Sequence, residues 1–309
     1  MNSAEASMAV LEELKRLRRE GVREIYIEDK TIDNLATSIG SLFVEPIDQE
    51  VEIPLEKQTL KNESTSDKLT SKKDSISIQI DGVKAGSGDD EKFLKVPIVD
   101  LPKGDKLSRW KWLEEQITEC KVAKSELNEN GNILFGRGSL DADVFFCGEA
   151  PIEEDDLANK VFGGKVGELL SKIIQAMGYE ESSVYLSNIL HWRPKYEMSF
   201  GHRPPTIQEM NFSLPYLIAQ IEIIKPKVLV ALGKTAVDGL LGPDKNRRLG
   251  DVRGDWHEFV GVPLMITYHP SYLLHNPSKS GKRKVWEDML KVMERVGSEI
   301  TERQKNFFL

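Results

Sequence analysis

The sequence predicts a three-layer α/β/α fold around a central four-stranded, mostly parallel sheet, and three observations carry that prediction. Four short runs are apolar along their length instead of alternating, as strands covered on both faces must be. Helical patterns separate these runs, the order that builds a parallel sheet. Polar or conformationally special residues gather where each run ends.

The elements follow in order from about Glu91. SRWKWLEEQITEC forms a helix. DVFFCG, residues 143–148, is a continuous apolar run stopped by glycine and reads as the first strand. VGELLSKIIQAMG places Val166, Leu169, Leu170, Ile173, Ile174 and Met177 on one helical face. Gly178 caps that helix, because glycine takes the left-handed backbone of a helix end without steric cost. VYLSNIL, residues 184–190, is the second strand. Thr206 and Glu209 have capping-box spacing and open a helix that runs through Ile224. KVLVALG (227–233) is the third strand and leads into a helix over Thr235–Leu241. PLMITYHP (263–270) is the fourth strand, and KVWEDMLKVMERV (284–296) is the closing helix.

The N-terminal part has a different texture. Met8, Val10, Leu11, Leu14 and Leu17 recur at helical spacing and EIYIE suggests one strand, so residues 1–43 read as a small appendage of unknown role. Between Val44 and Lys92 there is no Phe, Trp or Tyr, and Lys, Ser, Thr, Asp and Glu abound. Such a stretch cannot bury enough surface to fold alone. Residues 44–92 are therefore expected to be a flexible linker, with SISIQI at most a stray strand, and residues 93–309 to be the globular domain.

Composition excludes several classes. No apolar run approaches bilayer-spanning length, and charges interrupt any signal-like core at the N-terminus. Two cysteines, Cys120 and Cys147, cannot build a disulfide framework. A cytoplasmic protein, monomeric and without a membrane partner, is the expectation. The net charge of −8 argues against non-specific coating of nucleic acid but leaves room for a local basic face. KSGKRK, with Lys282 and Arg283, is one such patch, although charge runs of this kind ordinarily are solvated helix starts.

In an open parallel sheet, ligands bind beyond the carboxyl ends of the strands. Those ends here are Gly148-Glu149, Asn188, Gly233 and His269. Each has a bland alternative: Glu149 as a helix cap, Asn188 as a turn, His269 as packing under Pro270. Their joint placement on one edge favours a site. ALGKTA is no phosphate loop, because position 228, where that motif needs glycine, is valine. The five histidines lack metal-ligand spacing, so no metal site is expected.

GEAPIEEDD with VFGGKVGELL, VYLSNILHWRP, the long RPPTIQEM to ALGKTA segment and TYHPSYLL together resemble the family-4 uracil-DNA glycosylases, over about Lys121 to Val296. These are bacterial and archaeal enzymes that normally hold an iron–sulfur cluster. The resemblance implies a DNA-repair hydrolase that flips uracil out of DNA, cuts its N-glycosidic bond and leaves an abasic site. It assigns Glu149, His269 and Asp155 to catalysis, and Phe162, Asn188 and Ala150 to the base. Ser271, Tyr272, Leu273, Leu274 and His275 match the loop that grips phosphate and fills the gap in the stack, and Lys282 and Arg283 extend that DNA-facing set. Glu153, Glu154 and Asp156 read as solvated residues or caps of the next helix.

Three departures qualify the resemblance. The four cluster cysteines of the family fall at Cys120, Ala123, Trp192 and Ser213, so only one is kept and the cluster is expected to be absent, with Trp192 filling its space. Ile152 replaces a glycine, where a β-branched residue would strain a left-handed backbone or crowd the loop. His275 stands where relatives often carry arginine. The alternatives are a catalytically inactive nucleic-acid-binding relative and a glycosylase for another deaminated base.

Overall fold

The computed structural model describes residues 96–128, 131–195 and 203–309. The appendage over 1–43 and the linker over 44–92 lie outside the described residues.

The chain opens with helices α1 (Lys106–Thr118) and α2 (Lys121–Glu126), then strands β1 (Arg137–Gly138) and β2 (Val144–Gly148). A short helix α3 (Glu153–Ala158) and the amphipathic α4 (Gly164–Ala176) lead to β3 (Tyr185–Asn188). Then come α5 (Ile207–Ile224), β4 (Val228–Leu232), α6 (Lys234–Leu241), α7 (Leu249–Val252) and the hairpin of β5 (Trp256–Phe259) and β6 (Val262–Thr267). Helices α8 (Pro270–His275), α9 (Lys279–Val296) and α10 (Glu302–Lys305) close the chain.

The sheet has six strands in the order β1-β3-β2-β4-β6-β5. The four expected strands form its parallel centre, in register Gly148↔Asn188, Cys147↔Ala231 and Leu232↔Thr267. Two antiparallel edge strands, β1 and β5, extend the expected four. Both edges have partly exposed faces and so lack the apolar signature of the centre: β5 alternates exposed and half-buried residues, and β1 is two residues long. From β2 the chain moves first to one side, β3, and then across to the other, β4. This reversal beside β2 opens the crevice in which such sheets bind ligands.

The helical pattern of α4 is realised: Leu170, Ile174 and Met177 are buried against the sheet strands Val144, Phe146, Val230 and Met265. Each such side chain contributes on the order of 1.5–3 kcal/mol on burial. Gly178 has φ +91 and follows the helix end as expected. The capping box also forms, with Glu209 N–H donating to Thr206 Oγ1 at 3.2 Å and Thr206 N–H to Glu209 Oε2 at 2.7 Å. The fourth strand ends at Thr267, earlier than expected, because Pro270 starts a helical turn with His269 as its N-cap.

Candidate active site

The site is built on the carboxyl ends of the parallel strands. Gly148 ends β2 and pairs with Asn188, which ends β3. Asn188 is 2% exposed, yet no group among the described residues hydrogen-bonds its side-chain amide. The amide is not among the fully buried unpartnered polar atoms, so it stays open to a partner from outside the chain. A β-carbon on Gly148 would lie 2.4 Å from Asn188 Oδ1 and 2.6 Å from Phe162 Cζ. Only glycine leaves room there for the amide and the ring to converge.

Phe162 is 4% exposed and has φ +57, a left-handed backbone unusual for a bulky residue. Two devices hold it there. Gly167 receives its carbonyl so closely that a β-carbon at 167 would stand 1.8 Å from the oxygen. Asp155, buried on α3, accepts the backbone N–H of Ile152 at 2.9 Å with one carboxylate oxygen and that of Gly163, the residue after Phe162, with the other. Asp155 therefore staples the loop, and both its oxygens face backbone donors. Burial pushes its carboxyl up to about 6, the Gly163 and Ile152 donors pulling the other way.

His269 lies opposite Phe162, the ring centroids 6.3 Å apart and tilted by 31°. Its Nδ1 accepts from the backbone N–H of Ser271 at 3.3 Å, and Ser271 Oγ stands 2.7 Å away. A backbone amide can only donate, so Nδ1 carries no proton and the neutral ring bears its N–H at Nε2. Glu149 is half-buried just beyond β2. Its carbonyl accepts Leu190 N–H at 3.1 Å, and its carboxylate has no hydrogen bond or ion pair among the described residues. Ala150 is half-buried next to it.

The acidic run divides differently from expectation. Glu153 and Glu154 are exposed on α3, but Asp156 is 7% exposed and not solvated. It accepts from Arg193 Nε at 2.6 Å and from Asn132 N–H at 2.9 Å. Ile152 is the N-cap of α3 at φ −112 and ψ 175, an extended conformation open to any residue, so the expected backbone strain does not arise.

At the start of α8, Tyr272 stacks on Tyr268, 4.3 Å between centroids. Leu273, 6% exposed, and Leu274, 42% exposed, both line a groove of about 370 Å³ with Leu169, Ile173 and Trp286. Leu273 is the more deeply seated of the two, and Leu274 reaches the surface. His275 is exposed and Lys282 half-exposed. Arg283 is committed elsewhere: it binds Glu287 at 2.8 Å and the carbonyls of Lys305 and Phe307 at 2.8 and 2.9 Å. The bland reading of KSGKRK as a helix start describes this arginine, since the patch begins α9 behind the N-cap Ser278.

The four positions at which the family resemblance places cluster cysteines do not suit a four-thiolate cluster. Ala123 offers a methyl group. Trp192 is fully buried and packs edge-on against Phe212 at 6.3 Å. Ser213 Oγ is 2.7 Å from His191 Nδ1. Cys120 alone brings a thiol. Among the described residues no three His, Cys, Asp or Glu side chains are grouped to hold a metal ion, and no helix is long and apolar enough to cross a membrane.

The model of the uracil-DNA glycosylase superfamily matches residues 135–290, which hold every site residue described above. The chain belongs to that superfamily. Its relatives include proteins named type-4 uracil-DNA glycosylase from Thermotoga maritima, 36% identical over 60% of this chain and 94% of the relative, and Pyrobaculum aerophilum, 34% identical over 55% and 87%. A third protein of that name, from Saccharolobus solfataricus, is 32% identical over 60% of this chain and 86% of the relative. The strand-end residues that sequence alone brought together all lie inside the matched segment. The room that Gly148 and Gly167 leave and the stapling role of Asp155 were not legible in the sequence. A glycine at the end of a strand was the one available signal for the first of them.

Proposed function

We propose that this superfamily member is a DNA N-glycosylase that flips uracil into the pocket between Phe162 and Asn188 and hydrolyses its bond to deoxyribose. The single observation that carries the reading is Asn188: a largely buried residue whose amide makes no hydrogen bond among the described residues and converges with an aromatic edge over a glycine that admits both. Uracil offers an N3–H donor beside its O4 acceptor, and one amide answers both with its carbonyl and its NH2. Phe162 supplies the face that replaces the stacking lost on flipping.

The chemistry follows from the neighbours. As the C1′–N1 bond breaks, its electron pair leaves with uracil and negative charge grows on O2. A neutral imidazole donating from Nε2, the tautomer that Ser271 dictates, suits that oxygen. The sugar becomes oxocarbenium-like, and the unpaired Glu149 carboxylate suits that cation and the water that adds to C1′. Asp155 acts through the loop it staples. Leu274, the exposed leucine of α8, is the side chain for the gap in the stack, with Tyr272, Ser271, His275 and Lys282 beside the phosphates.

One chain supplies every residue invoked, so a cytoplasmic monomer acting on single- or double-stranded DNA suffices. Its donor set leads us to propose catalysis without an iron–sulfur cluster. The extended backbone of Ile152 removes the strain that favoured an inactive relative.

The test is cleavage of a labelled uracil oligonucleotide, revealed by hot alkali at the abasic site. Excision by the wild type, lost in Glu149→Gln and Asn188→Asp, is the expected result. Binding without strand breaks at high protein concentration would overturn the reading, and stoichiometric iron in the purified protein would overturn the cluster-free part of it.

A further inference from the structure

We propose that Asp288, on α9 and outside the pocket, is a positioning residue that sets where His269 stands, acting through Thr267. The inference rests on the glycosylase reading above. Thr267 is the last residue of β6, and the chain presents His269 two residues later. The carbonyl and the hydroxyl of Thr267 are both held. Its carbonyl accepts Gly233 N–H at 3.0 Å, and its hydroxyl donates to Asp288 Oδ2 at 2.6 Å. The first bond extends the sheet and needs no particular side chain. The second exists only because position 267 carries a hydroxyl and position 288 a carboxylate.

Asp288 is fully buried, a costly place for a charge. Arg253 compensates it with Nε at 3.0 Å and with a second contact from Nη2. Gly254, at φ +78, lets this strand-entry turn come close, since a β-carbon there would lie 2.7 Å from Asp288 Oδ1. Arg253 also stands 5.9 Å over the ring of Tyr268, which stacks on Tyr272. The network therefore grips the segment Thr267–Tyr272 at both ends, with His269 between.

An apolar pair would join α9 to the sheet at lower desolvation cost. What the carboxylate adds is direction: it orients one hydroxyl and one guanidinium and so fixes the angle at which the chain leaves β6. His269 has little slack to absorb an error in that angle. On its β4 side, a β-carbon on Gly233 would already stand 3.0 Å from His269 Cβ. A shift at Thr267 is passed on to the imidazole.

The experiment compares Thr267→Val, which removes the hydroxyl at nearly constant volume, with Thr267→Ser, which keeps it. Val292→Ala, a buried change elsewhere on α9, serves as a destabilised control. Single-turnover excision of uracil, with protein in excess, and the imidazole NMR resonances of His269 are read at 25 °C. Thr267→Val is expected to slow excision roughly ten- to a hundredfold, the scale of a reacting group displaced by about 1 Å, and to move the His269 resonances. Thr267→Ser should stay near wild type on both readouts, and Val292→Ala should lower Tm without slowing excision. Wild-type rate or unmoved His269 resonances in Thr267→Val would overturn the inference, as would equal slowing in Val292→Ala. If the wild type excises nothing, the glycosylase reading falls, and the His269 resonances alone decide the positioning role.

Discussion

The side-chain oxygen of Asn188 and the ring edge of Phe162 converge above the α-carbon of Gly148, 2.4 and 2.6 Å from where a β-carbon would stand. Asn188 comes from β3 and Phe162 from the loop after α3, and β2 lends the missing side chain that lets them meet. The convergence of the two side chains therefore depends on an absence of atoms at Gly148 as much as on the residues themselves.

A methyl group placed there tests that geometry. Gly148→Ala pushes the amide and the ring apart in a site where neither has slack. Excision of uracil should fall by about a hundredfold or more, since small displacements of positioned groups carry costs of that order. Affinity for abasic DNA, read by fluorescence anisotropy, should change little, because the nearest neighbours of a β-carbon at 148 are Asn188 and Phe162 and not the α8 residues proposed to face phosphate. Equal loss of both would show that the alanine disturbs the fold as a whole.

His191 provides a pH prediction with a definite sign. It is fully buried, its Nδ1 beside Ser213 Oγ and its Nε2 accepting from Gln220 Nε2 at 2.8 Å. Burial holds its pKa down at about 3, against about 6.5 unfolded. The unfolded chain thus binds the proton first as pH falls below the unfolded value. Stability contributed by the neutral ring is present above about pH 6.5 and is lost as pH drops toward 3, at a limiting slope of about 1.4 kcal/mol per pH unit. Urea unfolding at several pH values should show this slope, and His191→Gln should lose that component.

Asp156 and Arg193 supply a stability prediction. Their side chains are 4% and 14% exposed, and they meet at 2.6 Å. Removing one partner of a buried pair leaves the other charge uncompensated, at a cost of about 3–5 kcal/mol. Arg193→Met should lower Tm clearly, because Asp156 keeps only the Asn132 contacts. The double variant Asp156→Asn with Arg193→Met should recover part of the loss, and simple additivity of the two single changes would show that the pair is not coupled.

What the sequence made legible follows from how local each signal is. The four central strands, the stripe of α4, the Thr206–Glu209 box and the strand-end residues are written in runs of neighbouring residues. Asp156 looked like one more solvated acid because its arginine lies 37 residues away. Arg283 looked like a DNA contact because the carbonyls that bind it arrive from the C-terminal chain. Which of Leu273 and Leu274 faces outward depends on the seating of α8 against α4. The hydroxyl of Thr267, inside an apolar run, pointed at nothing until α9 brought Asp288 to it.

Ile152 gives the last prediction, and it separates backbone strain from side-chain contact. With φ −112 the position needs no glycine, so Ile152→Gly relieves no strain in the folded chain. Glycine adds freedom to the unfolded chain instead, which should cost roughly 0.5–1 kcal/mol of stability. Asp155 still accepts the N–H of residue 152, a backbone contact that the substitution leaves intact. Excision should therefore remain within about threefold of wild type, well under the 1.4 kcal/mol of barrier that a tenfold change represents. A large gain in rate on Ile152→Gly would instead show that the isoleucine side chain stands where the deoxyribose must go, and that this loop restrains the enzyme by bulk alone.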